Sequence, residues 1–144
     1  MILVSACLAG IDCAWDGKNR SREDIKGLVD EGMAIALCPE VLGGRSTPRL
    51  RTEVFNGRGQ DVLDEKARVL DEKGNDVTHE FIKGASLVLD IVKTHNIKEA
   101  VLKAKSPSCG VGKIYDGFFK GNLIEGDGVL ASLLKKEGVS CRSI

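Results

Sequence analysis

The stretch VLKAKSPSCG, Val101 to Gly110, decides the fold. A run of Val, Leu and Ala reads as a buried strand, and Ser-Pro-Ser-Cys-Gly then cuts it off and hangs a thiol where the strand has just ended. Extended upstream, the strand is predicted over Ile97 to Ala104. Two earlier apolar runs end in the same way: Met1 to Ala6 stops at Cys7, and Met33 to Leu37 stops at Cys38-Pro39. Between those runs, Ser21 to Gly32 reads as a helix, with Ser21 as its cap, Glu23 and Asp24 in its first turn and Gly32 to end it. Strand, helix and strand in that order form a βαβ unit and imply a parallel sheet.

The rest of the chain extends this pattern. Thr78 caps a predicted helix running to about His95, with Phe81, Ile82, Ala85, Val88, Leu89 and Val92 at helical spacing. A last helix is predicted from Asp127 to Glu137, after which Gly138 releases the chain into a final strand, Val139 to Cys141. Glu40 to Val77 reads instead as a loop and hairpin excursion, with EVFNG and ARVLDEKGND as short alternating stretches and Glu72 to Asn75 as a turn. Ile114 to Phe118 is a short extended piece. The expected architecture is α/β: a three-layer, Rossmann- or flavodoxin-like parallel sheet with a hairpin excursion, in one domain over residues 1–144.

Composition narrows the function. Twenty-one basic residues balance twenty-one acidic ones, so no global field points to nucleic acid or an anionic membrane, and the expected partner is a small molecule. The opening MILVSACLAG is too short to span a bilayer and lacks a basic leader. The expected compartment is the cytoplasm, where thiols stay reduced, so the five cysteines need an explanation other than disulfides.

In an open parallel sheet, ligands bind beyond the carboxyl ends of the strands. Cys7, Cys38 and Cys109 each follow a predicted strand, so the topology brings them to one crevice although they are far apart in sequence. A lone free cysteine packs as small apolar filler. Three at strand ends, each followed closely by Gly10, Pro39 or Gly110, are better explained as ligands with room for a bulky group to approach. Without a CxxC pair, neither a zinc ribbon nor a ferredoxin motif fits, while three thiolates and an open position suit a cluster with one iron free for substrate. Cys13 is a fourth ligand, a resolving thiol or a loop staple, and Cys141 an ordinary buried thiol. His79 and His95 read as surface or cap residues.

In order along the chain, SACLAGIDCAWDG, CPEVLGG, TPR, GNDVT, SPSCG, IYDG and GDGVLASLL resemble the small domain family that includes the bacterial thiouracil desulfidases. The resemblance implies a flavodoxin- or Rossmann-like fold, a [4Fe-4S] cluster held by Cys7, Cys38 and Cys109, and non-redox removal of sulfur from a thiolated base such as thiouracil. It also implies that Glu40, in the CPE motif, and Ser106, in SPSC, flank the open iron as catalytic residues; by spacing alone Ser108 would serve equally. Two departures stand out: Ala14-Trp15 follows Cys13 where the family often has Arg-Tyr, and Leu50-Arg51 follows TPR where a proline is usual.

The implied chemistry is physically coherent. A soft exocyclic sulfur suits an iron lacking a protein ligand, and a carboxylate two residues beyond a ligand can take a proton from the attacking water. Trp15 and Tyr115 are candidates to stack on the ring. A reading of another class is a zinc-binding or thiol redox-sensing module without turnover on the same cysteines.

Overall fold

A computed structural model describes residues 1–144. The strands β1 (Ile2–Ser5), β2 (Ala34–Leu37), β5 (Glu99–Leu102) and β8 (Ser140–Ser143) form a parallel sheet in the order β2-β1-β5-β8. Ser5 pairs with Leu37 at the end of β1 and β2, Val4 with Val101 between β1 and β5, and Ala100 with Cys141 between β5 and β8. The chain runs from β1 to β2 on one side and later returns past β1 to β5 on the other, which makes the β1/β5 boundary the topological switch point, where a ligand crevice opens.

Helix α1 (Glu23–Asp30) packs Ile25 with Val4, Ala34 and Val101 on one face of the sheet. On the other face, α4 (Thr78–Thr94) and α5 (Val129–Lys136) bury Phe81, Ala85, Val88, Leu130 and Leu134 against Leu3, Ala100 and Leu102. Alternation along β1 produces this division: Leu3 faces one core and Val4 the other, and both are almost fully enclosed. The three-layer α/β expectation holds. The caps differ from the reading, because neither Ser21 nor Thr78 occupies the capping position. Arg22 precedes α1, while Thr78 begins α4 and its Oγ1 accepts the Val69 N–H at 2.9 Å, tying the helix to β4 (Arg68–Asp71).

The excursion is a β3 (Thr52–Phe55) and β4 antiparallel pair, in which Glu53 faces Leu70. Its crossover is not a tight turn but a short helix, α3 (Gly59–Leu63), that packs on α5; the predicted turn at Glu72 to Asn75 lies after β4. The extended piece near Ile114 is β6 (Lys113–Tyr115), and it pairs with β7 (Leu123–Glu125), which the sequence reading did not separate. One further element bears directly on the site: α2 (Pro39–Leu42), a single turn immediately after Cys38. A Cβ on Gly84 of α4 would stand 1.9 Å from the Pro39 carbonyl oxygen, and one on Gly43 would stand 2.0 Å from that of Glu80. Two glycines therefore allow α2 to lie directly on α4, which sets the height of Cys38 and Glu40 above the sheet.

Candidate functional site

Beyond the carboxyl ends of β1, β2 and β5 lies a cavity of about 490 Å³. Cys7, Cys13, Cys38 and Cys109 line it, as do Glu40 and Ser106. Cys7 and Cys38 follow the paired strand ends closely. Cys109 does not, because β5 stops at Leu102 and the thiol is carried back to the cavity by the turn at residues 107–109. Cys141 lies in β8 outside the cavity, half-buried, with its thiol pushed up to about 11 by burial. His79 and His95 are exposed and also lie outside it. The glycines near the thiols have local reasons to be there. Gly10 has φ +90°, and a Cβ on Gly110 would come within 2.7 Å of the Ser106 carbonyl oxygen, so each is required by its own turn.

The thiols sense one another. Burial raises the pKa of Cys7, and negative charge on Cys38 raises it further. Burial pushes the Cys109 thiol up strongly. Cys38 is the exception, drawn down to about 7, chiefly because the Cys13 thiol donates a hydrogen bond to its sulfur. The same bond is the main reason that the pKa of Cys13 is raised. As a neutral thiol, Cys38 instead has the Cys13 carbonyl oxygen within 3.8 Å as an acceptor. The four sulfurs share a cavity, yet no three His, Cys, Asp or Glu side chains are close enough together to hold a single metal ion.

Ser106 and Ser108, equal by spacing, separate in space. Ser106 lines the cavity and its Oγ accepts the backbone N–H groups of Ser108 at 3.1 Å and Cys109 at 3.0 Å. A hydroxyl has two acceptor positions and one proton. With both acceptor positions engaged, Ser106 has only its proton to offer the cavity. Ser108 is 1% exposed, its Oγ has no partner, and it does not reach the cavity wall.

Glu40 is held by Arg49, the arginine of TPR, whose Nε lies 3.1 Å from Glu40 Oε1 with both side chains largely enclosed. The other guanidinium nitrogens of Arg49 donate to the Cys13 carbonyl oxygen at 2.9 Å, the Ser46 carbonyl oxygen at 3.2 Å and Thr47 Oγ1 at 3.1 Å, and its backbone N–H donates to the Trp15 carbonyl oxygen at 2.8 Å. Arg49 thus clamps the Cys13 loop, the segment before Pro48 and the Glu40 carboxylate together. From the sequence alone, Arg45 and Arg49 are equally available to pair with Glu40. The position of Arg49 nine residues after Glu40, inside a motif, was the available signal. Glu40 Oε2 has no protein partner and is not enclosed, so it remains free to accept from the cavity.

The far wall comes from the hairpins: Arg51 and Glu53 from β3, Tyr115 from β6, and Phe119 beyond it. The two departures noted in the sequence meet here. The Arg51 guanidinium lies 5.6 Å from the centroid of the Trp15 ring, and both side chains line the cavity.

Residues 2–143 match the family model for 2-thiouracil desulfurase. The chain belongs to this family. It is 48% identical over 138 residues to the uncharacterized protein YbbK of Bacillus subtilis (strain 168), covering 96% of the chain and 91% of that relative. Among solved structures, the [4Fe-4S]-dependent thiouracil desulfidase TudS matches with a TM-score of 0.86 at 40% identity, covering 99% of this chain and 89% of TudS. Membership accounts for the shared fold. No helix is long and apolar enough to cross a membrane.

Proposed function

We propose that this protein is a [4Fe-4S]-dependent desulfidase that removes sulfur from thiouracil, with Cys7, Cys38 and Cys109 as cluster ligands and Glu40 and Ser106 acting on the substrate. The observation that carries the assignment of ligands is the donor set. Three thiols on three separate loops line one cavity of about 490 Å³ and influence one another's protonation. Three thiolates with room beside them suit a multi-atom cluster that leaves one iron open. Cys13 lines the same cavity, and its thiol beside Cys38 lowers the pKa of that ligand.

When bound, the cluster supplies a soft Lewis-acidic iron without a protein ligand, suited to a thiocarbonyl sulfur. The remaining steps belong to the chain. Glu40 Oε2 accepts a proton from the water that attacks the ring carbon, while Arg49 fixes Oε1 and so aims the free oxygen. The Ser106 hydroxyl, able only to donate, holds an electronegative atom of the substrate or passes its proton outward. Trp15 and Tyr115 flank the space for the ring. Overall the thiocarbonyl and water become a carbonyl and hydrogen sulfide, with no change in oxidation state. The protein acts as one domain over residues 1–144, in the cytoplasm, on the free small molecule rather than on nucleic acid.

The test is turnover by protein reconstituted without oxygen. Uracil and sulfide should form from 2-thiouracil, and Cys38→Ala should lose both iron and activity. Glu40→Gln should keep the visible absorption of the cluster and lose activity by roughly 10²–10⁴-fold. A colourless, zinc-loaded and inactive wild type would overturn the assignment.

A further inference from the structure

The cavity is lined by two carboxylates, Glu40 and Glu53. Glu53 is 7% exposed, and its Oε1 accepts the backbone N–H groups of Gly117 at 2.9 Å and Phe119 at 3.2 Å. Those bonds hold the loop after β6 and fix the plane of the carboxylate. Oε2 accepts nothing from the protein, and it is absent from the sealed polar atoms, which are Arg45 Nε, Glu80 Oε2 and Ser108 Oγ. It therefore opens on the cavity. No cation stands within ion-pair distance of Glu53. A carboxylate oxygen fixed in direction by the two bonds to its sister oxygen, facing a cavity with no protein donor of its own, is placed to accept from a bound molecule.

Thiouracil brings such a donor. In 2-thiouracil both ring N–H groups flank the carbon that bears sulfur, and an N–H held against a carboxylate makes a short, charge-assisted bond. Glu40 is engaged with the water in the mechanism above, which leaves Glu53 as the carboxylate for the ring. We infer that Glu53 is a specificity residue whose Oε2 accepts a hydrogen bond from a ring N–H of the thiolated base. The inference rests on the desulfidase reading for its substrate. Sites built to bond a substrate N–H reject analogues lacking it far more strongly than apolar pockets reject a missing methyl.

The probes are 2-thiouracil and its N1-methyl and N3-methyl isomers for turnover, and uracil with the matching methyl isomers for binding. Trp15 is the sole tryptophan and lines the cavity, so its fluorescence reports binding without turnover. Wild type should lose about 10- to 100-fold in kcat/KM for one methyl isomer, with a parallel loss in uracil binding. In Glu53→Gln, the amide oxygen keeps the Gly117 and Phe119 bonds and an NH₂ replaces Oε2. This variant should keep wild-type iron content, bind uracil about 10-fold more weakly and discriminate the methyl isomer less than about 3-fold. Wild-type binding indifferent to both methyl groups overturns the inference whatever the variant does, as does an iron-loaded Glu53→Gln that discriminates as wild type does. Discrimination in binding without sulfide release would retain Glu53 as the base-reading residue and discard the desulfidase reading.

Discussion

Removing Arg49 tests the architecture of the site most sharply. Its side chain is 4% exposed, its partner Glu40 13%, and its guanidinium donates to four acceptors on two loops and a helix. Arg49→Met fills much of the same volume but leaves the Glu40 carboxylate and the Cys13 carbonyl oxygen without their donor. Breaking a buried pair from one side costs about 3–5 kcal/mol, most of it the penalty of the stranded charge. For a chain of this length that lowers Tm by roughly 10–20 °C. Adding Glu40→Gln removes the stranded charge, so the double variant should recover about 1–3 kcal/mol relative to the sum of the single losses. The assay is thermal and urea unfolding of the cluster-free protein under reductant, which keeps cluster binding from masking the difference. The cluster-loaded Arg49→Met should also lose turnover, because Glu40 Oε1 is no longer fixed. An Arg49→Met protein within about 1 kcal/mol of wild type, or strict additivity with Glu40→Gln, would refute the clamp, since a solvated surface pair behaves in that way.

Gly84→Ala places a methyl 1.9 Å from the Pro39 carbonyl oxygen. It should push α2 off α4, lower stability by more than the ~1 kcal/mol that alanine ordinarily gains in a helix, and reduce iron retention measured after desalting. In the cluster-free protein, Cys38 should react first with iodoacetamide, half-maximally near pH 7 and fully above about pH 8, with the buried Cys13 and Cys109 last. Cys13→Ala removes the bond that stabilises the Cys38 thiolate, so the midpoint for Cys38 should move upward; mass spectrometry of timed aliquots reads both effects.

Strands β1, β2 and β5 were legible because they lie in short apolar runs bounded by Gly, Pro and Cys, and because a strand, helix and strand in sequence admit few topologies, whereas β8 is polar and runs two residues past the predicted end at Cys141. Convergence of Cys7, Cys38 and Cys109 followed from topology without side-chain detail. What stayed hidden depended on contacts between segments distant in sequence. Helix α2 is one turn long and leaves no periodicity, and its position is set by Gly43 and Gly84, forty-one residues apart. Glu53 lies in β3 among buried neighbours on both sides, so alternation could not tell whether it faces solvent or a cavity. The choice between Ser106 and Ser108 turned on the path of the turn after β5, which spacing does not encode.

The site divides between two parts of the fold. Cys7, Cys38 and Glu40 stand just beyond the ends of the parallel sheet, Glu40 on the single turn α2, and the strands of that sheet are packed on both faces and cannot shift without disturbing two cores. Arg51, Glu53, Tyr115 and Phe119 come from the antiparallel hairpins, whose strands β3 and β6 contact each other. A change in the hairpins can therefore reshape the space for the ring while the thiols keep their places. The contact between Trp15 and Arg51 fits that division, because it joins the Cys13 loop to β3 at the cavity rim, with Trp15 44% exposed and no ligand involved. If the parts are separable in this way, Arg51→Ala should raise KM for 2-thiouracil by about 3- to 10-fold through the lost cation–π contact and leave iron content unchanged. Loss of iron in that variant, measured alongside KM, would show instead that the hairpin wall and the cysteine loops form one mechanical unit.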